Sequence, residues 1–279
     1  MNPAAHPHRR RPRGFTLVEV AISLVLLALA TGTVVAVLQQ QLVQHKMSDT
    51  DAILAQAHDA LLSYVTTYGY LPCPATANTQ GREDVARIVN GVRTCTAESG
   101  FLPAVTLGMP NLDAWGLLEG AWHDASGSTN GTHLRAIRYA VAGLAGTPYA
   151  GALTSPGLGL PASPGIRAAV QAQLNANSGL FVCASSAGLL TTNNRCGLTA
   201  NNTVAANTAV ILWSLGEDAP YIAQFSTDET QNYTPTVARV VVSHAYVPRG
   251  AAGGPFDDRV SYIAFAAVAE RLVYGGFVQ

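Results

Sequence analysis

The hydrophobic pattern changes character twice along the chain. From Val20 to Leu38 the sequence VAISLVLLALATGTVVAVL runs nineteen residues without a charge or a proline. As a helix it would extend about 28 Å, close to the hydrocarbon thickness of a bilayer, and it is apolar on every face, unlike the helices of a soluble surface. The pattern then turns amphipathic without a break. Val43, Met47, Leu54, Ala57, Leu61, Val65 and Tyr68 recur at spacings of mostly three and four, which places them on one stripe of a continuing helix. Gly69 suits the left-handed position just past a helix and Pro72 cannot extend it, so both mark the stop. The spacing predicts one helix over residues 15–69, with a membrane-crossing part at about 16–38.

Beyond residue 70 the pattern breaks into short β-type runs in a background of Gly, Pro, Ala, Ser, Thr and Asn. Strands are predicted at Leu134–Ala142, Gly179–Ala184, Thr208–Leu215, Ala238–His244 and Val260–Phe265, and helices at Ile166–Asn177 and Ala266–Tyr274. Gly146–Pro164, rich in Pro and Gly, reads as a surface loop. A long helix followed by strands is an α+β arrangement, in which the helix covers one face of an antiparallel β-sheet with long loops. The expected organisation is a leader over 1–14, the helix over 15–69 and a head over 70–279.

Charge adds direction to this plan. The chain of 279 residues is 48% hydrophobic and 12% charged, with a formal net charge of -1, which excludes a disordered chain and a strongly basic nucleic-acid binder. The near-neutral total conceals an asymmetry. Arg9, Arg10, Arg11 and Arg13 stand in the first fourteen positions with no acidic residue among them, and the remainder is acidic. A basic head before an apolar run is retained in the cytoplasm, which sends the residues after the helix across the inner membrane into the periplasm.

There the four cysteines, Cys73, Cys95, Cys183 and Cys196, meet an oxidising compartment. Three pairings are open, and the most economical joins Cys73 to Cys95 and Cys183 to Cys196, each closing a loop worth about 3 kcal/mol. A zinc site is the competing reading, weakened by the lack of CxxC spacing and of a matching histidine. Nothing in the chain carries an enzyme motif: it has no Gly-x-Ser-x-Gly, no His-Glu-x-x-His and no phosphate-cradling loop, and His123, Asp124 and His133 lie in a polar segment. No catalytic residue, cofactor or nucleic-acid partner is expected.

One carboxylate, Glu19, stands where the basic head meets the apolar run. A charge within the bilayer costs about 2.5–3.5 kcal/mol on insertion scales and normally finds a partner. The string Arg13-Gly14-Phe15-Thr16-Leu17-Val18-Glu19-Val20 resembles the cleavage and methylation site of type IV prepilins and type II secretion pseudopilins. The resemblance implies cleavage between Gly14 and Phe15 by a prepilin peptidase, which also N-methylates Phe15, and assembly with other pilin or pseudopilin subunits. It also implies a pilin-like fold, inner-membrane lipid around the first half of the helix, and a role for Glu19 in assembly. A carboxylate one turn from the new amine can pair with the amine of a neighbouring subunit and so select axial register.

Weaker strings extend the resemblance over most of the chain: Gly69-Tyr70-Leu71-Pro72-Cys73-Pro74, Gly100-Phe101-Leu102-Pro103, Leu112-Asp113-Ala114-Trp115-Gly116, Val210-Ile211-Leu212-Trp213-Ser214-Leu215-Gly216 and Phe256-Asp257-Asp258. Ala114 stands where proline is common, and Leu117–His133 is an insertion before the strand. Trp115 is expected to bury its face against the helix. Major pseudopilins hold a calcium ion in a loop near their C-terminal strands. Here Glu217, Asp218, Asp228 and Glu229 fall in that region without an EF-hand-like order, and they are read as solvated loop charges, so no metal is expected. A bulky head is hard to repeat around a filament, which favours a minor subunit, and the presence of Glu19 argues against the extreme tip. The alternative is a single-pass, membrane-anchored periplasmic binding or adhesion protein, which needs neither Glu19 nor the peptidase string.

Overall fold

The computed structural model describes residues 16–89, 92–110, 114–115, 136–142, 153–154, 179–192, 195–219, 225–248 and 254–277. The leader, the Gly14–Phe15 bond, the Ile166–Asn177 helix, most of Gly146–Pro164 and the histidines at 123 and 133 lie outside the described residues. The chain divides into two compact units, Met1–His45 and Lys46–Gln279.

Helix α1 runs from Leu17 to Tyr68, 52 residues, through the end of the first unit and into the second. Its start is a reciprocal cap. The Thr16 hydroxyl accepts from the Glu19 amide at 3.3 Å, and Glu19 Oε2 accepts from the Thr16 amide at 3.4 Å. That satisfies donors which the first helical turn leaves without intrahelical partners. Every described residue from 16 to 29 is exposed. Among the described residues no helix is long and apolar enough to cross a membrane, and within Val20–Leu38 the side chains of residues 30 and 32–37 lie outside the described set.

In the second unit the stripe on α1 becomes core. Leu54, Ala57, Leu61 and Val65 are buried, whereas Tyr68, predicted on the same stripe, is half exposed. Tyr68 instead joins Tyr64 and Tyr70 in an aromatic group at the helix end, with ring centroids 4.4 to 6.2 Å apart. The helix stops where the sequence predicts. Gly69 adopts φ +76° and donates to the Val65 carbonyl at 2.8 Å, closing a left-handed C-terminal cap.

The head then builds a hairpin, β1 (Val85–Val89) with β2 (Val92–Cys95), and a six-stranded sheet of β3 (Ser99–Phe101), β4 (Arg138–Val141), β5 (Leu180–Cys183), β6 (Thr203–Ser214), β7 (Val240–Val242) and β8 (Arg259–Ala264). Short helices α2 (Ala104–Leu107) and α3 (Thr227–Tyr233) precede the last helix, α4 (Phe265–Tyr274). The path order is β3-β4-β6-β5-β7, with β8 also paired to β6. Strand β6 is the spine: β4 and β8 flank its C-terminal half and β5 its N-terminal half. Its second half, Thr208–Ser214, is buried throughout, which explains its unbroken apolar sequence in place of an alternating one.

The expectation of a purely antiparallel sheet needs correction, because β5 and β7 pair in parallel, Phe181 opposite Val240 through Cys183 opposite Val242. A parallel neighbour requires a long crossover, and the chain between β5 and β7 contains β6 and α3. Helix α1 packs its buried stripe into the same core as Tyr139, Ile211, Leu212 and Ile263 of the sheet. Each fully buried Leu or Ile there contributes about 1.5–3 kcal/mol. The polar end of Tyr139 is satisfied by donating to the Pro72 carbonyl at 2.9 Å. Two disulfides cross-link the head, Cys73–Cys95 and Cys183–Cys196, with Cα separations of 5.4 and 5.3 Å.

Candidate functional site

Two places concentrate chemistry. The first is the start of α1. Glu19 is exposed at the third position of the helix, one oxygen directed at the Thr16 amide and hydroxyl. From the sequence, Glu19 is either hydrated at the membrane interface or paired with a neighbouring subunit. The structure adds a role inside the chain, since the Thr-x-x-Glu spacing lets the side chain cap its own helix. Nearby, the Ser23 hydroxyl donates to the Glu19 carbonyl at 2.8 Å, so each polar residue of this stretch bonds to local backbone.

The second place is a carboxylate cluster where β6, α3 and β8 converge. After β6 the chain turns through Gly216, which takes φ +68°. Only glycine fits, because a Cβ there would lie 2.2 Å from Asp257 Oδ1 and 2.7 Å from the Asp257 carbonyl oxygen. The turn delivers two amides to one oxygen: Glu217 N and Asp218 N donate to Asp257 Oδ2 at 2.6 and 3.1 Å. Helix α3 supplies Glu229 from its first turn. Ser226 caps the helix by accepting from the Glu229 amide, and Glu229 Oε2 accepts from the Ser226 amide at 2.9 Å.

The remaining oxygens face one another. Asp218, Glu229 and Asp257 each offer an oxygen, and these three atoms lie within 4.8 Å of one another. All three residues are buried, Asp218 to 1% exposure. Both oxygens of Asp218, Oε1 of Glu229 and Oδ1 of Asp257 have no hydrogen-bond partner among the described residues. Two unit negative charges 4 Å apart repel by about 4 kcal/mol at an effective dielectric constant of 20, so three bare carboxylates are unstable here. Burial pushes Asp257 up to about 8, reinforced by the charge of Asp218. Burial likewise pushes Glu229 up to about 7, opposed by the Ser226 amide and reinforced by Asp218. Beside them Asp258 is raised well above the usual carboxylate range, again by burial first, although the Asn232 amide donates to it at 2.6 Å.

This corrects the expectation that Asp218 and Glu229 are solvated loop charges. The other two acids of that group behave differently. Glu217 is half-buried and lends its amide to Asp257, while Asp228 accepts from the Ser186 amide at 2.6 Å and faces His244 Nε2 at 3.1 Å, in a separate network. The sequence carried two signals for the cluster: Ser226-x-x-Glu229, the pattern of a capped helix, and the paired acids Asp257-Asp258 directly before a strand. Neither tells that forty residues of chain return to one point.

The cluster's donor set is all oxygen and all carboxylate, which suits a hard divalent cation. The three oxygens lie within 4.8 Å of one another, inside the range of separations between oxygens that share a calcium ion at 2.3–2.6 Å. A calcium ion of the kind that the fold resemblance implies therefore fits these residues. The cysteines are consumed in disulfides, which removes them as zinc ligands. Trp115, expected against the helix, is half-buried with Lys46 Nζ of α1 4.9 Å from its ring centroid, and the neighbouring Ala114 amide donates to Thr50 at 3.3 Å.

No curated protein and no solved structure matches the chain. Residues 9–35 match the family described as the prokaryotic N-terminal methylation motif. That match spans the leader arginines, Gly14, Phe15, Glu19 and most of the apolar run, in the register given above. The chain therefore carries a prepilin-type N-terminal methylation motif over residues 9–35, which supports a type IV pilin or pseudopilin relationship for its N-terminus.

Proposed function

We propose that the chain is a minor structural subunit of a type II secretion or type IV pilus filament. In this reading it enters the inner membrane through the apolar run at about 16–38, with the leader cytoplasmic and the head periplasmic. Prepilin peptidase cuts between Gly14 and Phe15, Phe15 is methylated, and the helix becomes part of a filament core with other pilin or pseudopilin subunits. The observation that carries the reading is the methylation motif over residues 9–35, with Glu19 in the first turn of a 52-residue helix. The exposed apolar surface of residues 16–29 supports it, because such a surface needs lipid or neighbouring helices to cover it.

The head in this reading is a structural body. Cys73–Cys95 ties the segment after α1 to β2, and Asp218, Glu229 and Asp257 would hold a calcium ion, whose two positive charges would offset most of the negative charge of the cluster. Mass spectrometry of the subunit purified from membranes tests the main claim. The expected N-terminus is a methylated Phe15, and an intact leader or another N-terminal residue would overturn it.

A further inference from the structure

Along one edge of β6 two strands lie end to end. Strands β4 and β8 both pair with residues 210–213 and so hold opposite edges, and Thr208 pairs with both Ala264 of β8 and Leu180 of β5, which puts β5 on the edge of β4. The Ala142 amide donates to the Ala209 carbonyl at the end of β4, and β5 takes over one position further on. The ladder is spliced there, and backbone strain collects beside the splice. Asn207 and Arg239, two of the three non-glycine residues with positive φ among the described residues, stand at φ +51° and +66°. Such outliers persist only where the surroundings enforce them, and they concentrate at functional sites.

Over the splice lies a cavity of about 290 Å³, walled by Ala140, Leu180, Ile211, Trp213 and Val241, with Glu98 and Arg239 at its rim. Arg239 Nε donates to Glu98 Oε2 at 2.8 Å, so the rim charges already answer each other. The polar groups of the wall are also spent: Gln231 donates to the Val237 and Val240 carbonyls and accepts from the Thr236 amide, and Trp213 Nε1 donates to the Asn232 carbonyl. An apolar occupant is therefore the one that fits. The volume stands at the lower limit of small-molecule sites, about 300–1,000 Å³, which suits one inserted side chain better than a cofactor.

The chain displays such a side chain. Leu198, at 92%, is the most exposed large apolar residue among the described ones. Its loop is fixed on both sides: Cys196 is bonded to Cys183, the Cys196 carbonyl accepts from Asn202 Nδ2 at 2.6 Å, and Gly197 turns the chain at φ +90°. A leucine held rigidly in water buries nothing in its own chain and loses little freedom on docking. A knob and a hole on one chain join copy to copy, and the contact repeats head to tail unless it closes on itself. We propose that the cavity over the splice receives Leu198 of a second copy of the chain, so that heads of neighbouring copies are joined through it. The contact requires copies to sit side by side wherever the subunit occurs, and it does not depend on how the N-terminus is processed.

The test uses the full chain purified in detergent, whose native cysteines are all closed in disulfides. Thr199→Cys marks the knob and Ser99→Cys marks the cavity wall, both at exposed positions. Equimolar mixtures of the two variants are treated with a short bismaleimide over a range of concentrations, and the linked peptides are identified by mass spectrometry. A mixed dimer should form at concentrations where Ile88→Cys, exposed on β1, gives none with Ser99→Cys; association through α1 alone would raise both pairs together. Leu198→Ala in the Thr199→Cys chain should raise the concentration for half-maximal linking by about tenfold or more, the worth of one buried leucine. Ala238→Trp, an exposed change at the rim, should block linking in the Ser99→Cys chain. An unchanged thermal midpoint checks that each variant keeps the fold. Linking of Thr199→Cys no better than that of Ile88→Cys overturns the contact. Unchanged linking in Leu198→Ala overturns the knob, and unchanged linking in Ala238→Trp overturns the cavity as its receptor. A failure to find methylated Phe15 would touch none of these results.

Discussion

Replacing Gly216 by alanine should cost about 2–5 kcal/mol of folding free energy, against about 1–2 kcal/mol for the same change at Gly188. Both glycines occupy the left-handed region, at φ +68° and +75°, so both substitutions carry the backbone penalty of an L-residue there. The surroundings differ. At Gly188 an added Cβ meets nothing within 4 Å, whereas at Gly216 it meets Asp257 Oδ1 at 2.2 Å, Cγ at 2.4 Å and the carbonyl oxygen at 2.7 Å. Two of those contacts belong to the side chain, but the third is backbone two residues before β8, so a rotamer change alone does not relieve the overlap. Asp257 must withdraw from the Glu217 and Asp218 amides, and a buried amide left without its acceptor costs about 1–3 kcal/mol. Losing one of the two, added to the backbone term, gives the figure. For a unit of this size about 1 kcal/mol moves the melting midpoint by about 2–4 °C, so Gly216→Ala should melt about 10 °C lower. Urea unfolding followed by tryptophan fluorescence suits the measurement, because Trp213 is buried beside the site. Calcium must be held constant, since any ligand of the native state shifts apparent stability. Equal destabilisation at Gly216 and Gly188 would refute the close approach of Asp257 to the turn.

Other outcomes follow from the same structure. Glu19→Gln retains an acceptor for the Thr16 amide but not the charge, and Glu19→Ala removes both; if charge pairing drives assembly, each variant should insert in the membrane, be cleaved, and fail to enter filaments, as read by crosslinking and by recovery of sheared filaments. Normal incorporation of Glu19→Gln would reduce the residue to a helix cap. Replacing Cys73 and Cys95 together by serine opens a loop of sequence separation 22 and should cost about 3 kcal/mol in urea unfolding, with slightly less for Cys183 and Cys196 at separation 13. Tyr139→Phe strands the buried Pro72 carbonyl and should cost about 1–3 kcal/mol, whereas Arg259→Ala, which breaks a partly exposed pair with Asp51, should cost less than about 1 kcal/mol.

The long helix, its stop at Gly69 and the five predicted strands were all legible in the chain, because each rests on local periodicity or on the conformational limits of Gly and Pro. The strand edges moved by a few residues. Strand β6 begins five residues before its apolar run, since Thr203–Asn207 is extended by pairing with β5, and pairing leaves no mark on composition. Helix α3 is short and polar inward, so no apolar stripe announced it; its burial is supplied by hydrogen bonds from Gln231 and Asn232 to a strand that follows it.

The start of the chain needed no tertiary structure to be read. Four arginines, Gly14, Phe15, Glu19 and an uncharged run form one contiguous register, and the methylation motif of residues 9–35 is recognised along the chain, one residue after the next. The carboxylate cluster is the opposite case. Asp218, Glu229 and Asp257 are separated by eleven and twenty-eight positions in sequence, and each alone is an ordinary acid beside a turn, a helix cap or a strand. Only the folding that brings the end of β6, the start of α3 and the residues before β8 together removes their water and brings their oxygens within 4.8 Å. Desolvation and mutual repulsion, which turn three surface acids into a site that demands a cation or protons, exist in the tertiary structure and nowhere in the sequence.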